Sequence, residues 1–68
     1  MRIKKEAIRT LQKYGEYHFE GLDRQESRKA AEILSRAAMR DDRERGIESK
    51  FGIVRDAFGY YHSAQINA

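Results

Sequence analysis

Two groups of side chains in this 68-residue chain are of types that could do chemistry. The first is aromatic. Tyr14, Tyr17, His18 and Phe19 fall close together, and Tyr60, Tyr61 and His62 form a second cluster near the other end. Tyrosine offers a large contact area, few rotatable bonds and one polar handle, which suits docking on another protein. Unperturbed histidine titrates near ~6.5, so His18 and His62 could also sense pH. They do not form a catalytic set. Glu16 and Glu20 are near in sequence, but no carboxylate is placed to orient a particular imidazole.

The second group is basic. Arg24, Arg28, Arg36, Arg40 and Arg43 are spaced mostly by multiples of four, as along one side of a helix. Such a stripe could meet phosphates. Glu32 interrupts it, however, and Asp41, Asp42 and Glu44 crowd its end. A solvated face of weak ion pairs explains the same residues. A helix-turn-helix is poorly supported, because the junction after Met39 is long and charged. Nucleic acid is therefore the second choice of partner. A mimic of DNA is disfavoured by the net charge of +3.

Other chemistries find no residues to carry them. There is no cysteine, which removes disulfides, thiolate nucleophiles and thiolate zinc sites. Two histidines make a histidine-rich metal site unexpected. The serines sit in no recognisable nucleophile elbow, and no glycine-rich phosphate loop occurs. The chain is also short for enclosing a substrate pocket. These observations point away from an enzyme, a small-molecule substrate and a bound cofactor. No stretch has the ~18 apolar residues of a membrane span, and the basic N-terminus lacks the apolar core of a secretory signal. A cytoplasmic location is the expectation.

The elements that would position these groups read as helices. The chain has no proline, and Ala, Glu, Lys, Arg, Gln and Leu dominate it. Ile3, Ala7, Leu11, Tyr14 and His18 share one face of a helix from about Arg2 to Phe19, with Gly21 as its stop. Asp23 followed by Glu26 is a capping box for a second helix, whose inner face carries Ala30, Ala31, Leu34, Ala37 and Ala38. Ile47, Phe51, Val54, Phe58 and Tyr61 predict a third. A strand over 51–61 is set aside because the apolar residues do not alternate there.

The junction from Arg40 to Ser49 reads two ways. A break near Gly46 gives an all-α three-helix bundle over residues 1–68, with a frayed C-terminal tail from about Ser63. A continuous helix from 24 to 62 would instead give a helical hairpin with one long bent second helix. Only 13 residues are Leu, Ile, Val or Phe. A single core of this size supplies no more than about 3–5 kcal/mol, so a homodimer is expected in either case.

The sequence thus predicts a small helical binding or regulatory module. Its partner would be a protein, or a second copy, docking on Tyr14, Tyr17, His18, Tyr60, Tyr61 and His62. The bundle would bring both clusters to one pole. The alternatives are nucleic-acid binding through the arginine stripe, and a homodimer with no other partner.

Overall fold

The computed structural model describes residues 3–66. It is not a helical bundle. Two helices pack with a three-stranded antiparallel sheet, an α+β arrangement in the order α1 (Lys5–Tyr14), β1 (Glu16–Tyr17), α2 (Arg24–Glu44), β2 (Phe51–Arg55) and β3 (Tyr61–Gln65). The strand order is β1-β3-β2, so the last strand is central. The long-helix hairpin is overturned as well, since α2 stops at Glu44.

Helix α1 keeps the expected apolar face, with Ala7 and Leu11 buried one turn apart. It ends at Tyr14, five residues before Phe19. Gly15 adopts the left-handed conformation at φ +81° and donates its N–H to the Leu11 carbonyl at 2.9 Å. A glycine takes that conformation without a Cβ penalty. The chain then turns into β1, and Gln65 donates its N–H to the Gly15 carbonyl at 2.8 Å. The stop foreseen at Gly21 lies beyond this point.

Helix α2 starts as the sequence predicts. Asp23 accepts from the Glu26 N–H at 2.7 Å, and Glu26 accepts in return from the Asp23 N–H at 3.1 Å. Its other end settles the open junction. Ile47 donates to the Asp42 carbonyl at 2.8 Å and Gly46 to the Arg43 carbonyl at 3.0 Å. With Gly46 at φ +77°, this is the paired-bond ending that consumes orphan helix carbonyls.

Residues 47–61, read as a third helix, contain no helix. Strands β2 and β3 form a hairpin in which Phe51 faces Gln65, Ile53 faces Ser63 and Arg55 faces Tyr61. Asp56 closes its turn, donating its N–H to Tyr60 O at 2.8 Å and accepting from Gly59 at 3.2 Å. The alternation that would have revealed the hairpin is hidden by its chemistry. The fully buried residue at the centre of β3 is Ser63, and the outward positions include Val54 and Ala64. Ser63 also corrects the frayed tail, because residues 63–65 are the middle of the sheet.

The α2 surface that meets the sheet is made of small residues. Ser27, Ala30, Ala31, Leu34, Ser35 and Ala38 are all buried. Small side chains bring the helix backbone close enough to be hydrogen-bonded directly from the strand. Ser63 Oγ donates to the Ala31 carbonyl at 2.8 Å, and Ser35 Oγ reaches both Ser63 Oγ and the Gly52 carbonyl at 3.1 Å. Ser27 Oγ accepts from the Tyr61 N–H at 3.0 Å. Buried hydroxyls are affordable only when paired in this way. The larger apolar residues Leu11, Leu34 and Phe51 pack together with Ala7 and Ala38.

Candidate functional site

The two aromatic clusters meet only at their histidines, and through strand pairing instead of helix packing. Glu16 faces Ala64 and Tyr17 faces Ser63, so the next position sets His18 opposite His62. The two imidazoles stack with centroids 4.1 Å apart and planes 18° from parallel. Glu16, two residues before His18 on the same face of the strand, has Oε1 2.6 Å from His18 Nε2. One ligand-type atom from each of Glu16, His18 and His62 lies within 4.8 Å of the others. Hydrogen bonding to His18, then the charge of that imidazole, holds the Glu16 carboxyl below its ordinary value. Burial, followed by the neighbouring His18, lowers His62.

The tyrosines of the two clusters separate from this face. Tyr17 is half-buried, packed edge-on to Phe19 with centroids 5.1 Å apart and against the core. Tyr14 is 67% exposed at the end of α1, with Lys13 Nζ 5.3 Å from its ring centre. Tyr60 and Tyr61 lie under the first turns of α2. Arg24 Cζ sits 4.8 Å from the Tyr60 ring centre and Arg28 Cζ 5.7 Å from that of Tyr61. These are cation–π placements.

Arg24 also fixes the hairpin tip, donating from Nε to the Phe58 carbonyl at 2.7 Å. Asp56 Oδ1 accepts from the N–H groups of Phe58 at 2.8 Å and Tyr60 at 3.0 Å. The Tyr60 bond, then those of Phe58 and Gly59, lowers the Asp56 carboxyl against the smaller opposing effect of burial. The Phe58 side chain is 75% exposed on this braced turn. Helical spacing places Phe58 on one face with Phe51 and Val54. Asp56 and Gly59, at the first and fourth positions of a turn, were the signal that could have exposed it.

The arginine stripe divides. Arg24 and Arg28 are taken up by the tyrosines, and Arg28 pairs with Glu32 at 3.3 Å. Arg36, Arg40 and Arg43 are exposed, and no carboxylate pairs with them among the described residues. The aspartates expected to crowd them are turned away. Gln12 Nε2, from α1, donates to Asp41 Oδ2 at 2.8 Å and to Asp42 Oδ1 at 2.9 Å. Asp42 is buried. The Gln12 bond is the main cause that lowers the Asp41 carboxyl, with Arg45 and Arg9 adding to it.

Among the described residues, no helix is long and apolar enough to cross a membrane. No protein-family model, curated protein or solved structure matches the chain.

Proposed function

We propose that the chain is a non-enzymatic binding module that docks on a protein partner through the tip of its β2–β3 hairpin. The observation that carries this reading is the exposed Phe58 ring on a turn braced by Asp56 and Arg24, with Tyr60 beside it. Aromatic and arginine anchors dominate binding energy at interfaces, and an anchor whose backbone is already held loses less entropy on docking. The surface keeps Tyr60 and Tyr61 from the sequence reading and replaces Tyr14 and Tyr17 with Phe58 and Arg24.

The test is affinity capture from the native host with the native chain and with Phe58→Ser/Tyr60→Ala. Both substituted side chains are exposed, so the variant should keep its circular dichroism. Truncating an anchor costs about 2 kcal/mol or more, roughly thirtyfold in affinity. A partner retained equally by the variant would sink the proposal. Recovery of the chain itself would identify a second copy as the occupant.

A second reading, nucleic-acid binding through Arg36, Arg40 and Arg43, is favoured by the sequestration of Asp41 and Asp42 by Gln12. Its signature is salt. Three phosphate contacts to a duplex give a slope of log affinity against log salt of about −2.7, and Arg36→Glu/Arg40→Glu should remove most of the binding. Hairpin docking should be far less salt-sensitive and indifferent to that charge reversal.

A further inference from the structure

We propose that Glu16, His18 and His62 form a binding site for a divalent transition cation of the zinc type on the sheet face opposite α2. The sheet register carries the case. His18 and His62 face one another across β1 and β3, and Glu16 stands two residues from His18, on the same side of the strand. Three ligands therefore issue from one face of two hydrogen-bonded strands. The backbone has already met most of the entropic cost of gathering them.

The donor atoms lie within 4.8 Å of one another. A tetrahedral ion with bonds of about 2.0–2.2 Å needs ligand atoms about 3.4 Å apart, so side-chain rotation closes the site without moving the strands. The ligand chemistry suits the ion. Imidazole with carboxylate selects zinc, cobalt, nickel or copper over magnesium and calcium, which prefer oxygen alone. Glu16 and His18 are exposed and His62 is half-buried, so the ion has an entry path and keeps at least one position for water. Binding exchanges the proton between Glu16 and His18 for the metal, and so weakens in acid. Two histidines are too few to suggest a metal site from composition. Their placement on paired strands supplies what the count lacks.

The experiment is calorimetric titration of the tag-free chain with Zn2+, repeated with Co2+ to read ligand-field bands in the visible spectrum. One equivalent should bind, with cobalt bands of tetrahedral intensity. His18→Ala and His62→Ala should each weaken binding by about tenfold or more, and Glu16→Gln should weaken it and alter the cobalt spectrum. Amide signals of residues 16–18 and 61–64 should move first on addition of Zn2+. Unchanged affinity in any one of the three variants, each checked for native circular dichroism, overturns the assignment of that triad. Binding that persists in the His18→Ala/His62→Ala double variant overturns the site altogether.

Discussion

The two faces of the sheet are built on opposite principles. At its centre the face toward α2 is dry and meets the helix through small groups. Ser63 and Ser35 direct their hydroxyls to backbone carbonyls, and Ala30 and Ala31 leave only methyl groups on the helix there. The other face holds large, polarisable and partly exposed groups, His18 and His62 stacked with Glu16 beside them. One face excludes water and fixes distances, and the other keeps its chemistry accessible. The same three strands serve both because side chains alternate across a strand. The architecture therefore confines stability to one side of the sheet and leaves the other side free to vary.

That division is most directly broken at Leu34. It is fully buried on the inner side, in a core with few other large aliphatic groups. Leu34→Ala should cost about 2–5 kcal/mol. This is as much as a single core of this size supplies. The expected result is loss of helical circular dichroism at room temperature. A variant that melts cooperatively within a few degrees of the native chain would show that the inner face does not hold the fold.

A finer comparison sets Ser63 against its neighbour His62. Ser63→Ala deprives the Ala31 carbonyl and Ser35 of a buried partner, which should cost about 1–3 kcal/mol. His62→Ala removes a much larger side chain from the opposite face of the same strand, yet should stay within about 1 kcal/mol, since it loses only a partly exposed stack. Urea denaturation measures both. The contrast fails if the histidine substitution is the more damaging.

This inverted ranking also explains what the sequence conceals. The Asp23–Glu26 capping box and the alanine face of α2 follow from local rules, and both are legible. Strand β3 is not. Its buried central residue is a serine, while His62 and Ala64 occupy the outer side, so alternation of polarity runs against the usual sense. Phe51, Val54 and Phe58 happen to fall at helical spacing, which favoured the wrong period. Non-local pairing decided the outcome, since β1 and β3 are joined by hydrogen bonds across more than forty residues. Of the two aromatic clusters only His18 and His62 meet, and they do so by strand pairing, not at the helical pole the sequence suggests. The Phe58 tip was not legible, because its exposure depends on a turn that exists only once the hairpin does.

The smallest expected effect is on pH dependence, and it belongs to the open surfaces. His62, Glu16, Asp41 and Asp56 all have values lowered on folding. A lowered value means that the native state binds the proton more weakly than the unfolded chain, so stability rises with pH through each titration. His62 contributes fully above its ordinary 6.5 and loses that contribution as pH falls through its lowered value. Glu16 follows below 4.5, and Asp41 and Asp56 below 3.8. Stability measured by denaturant should therefore be flat above pH 7 and decline in steps on acidification. Solvent screening of these groups keeps each step shallow. His62→Ala should abolish the first step and leave the lower ones, which depend mainly on the Glu16–His18 bond, the Asp56 turn and the Gln12–Asp41 bond. A first step that survives His62→Ala would show that His62 is not its source.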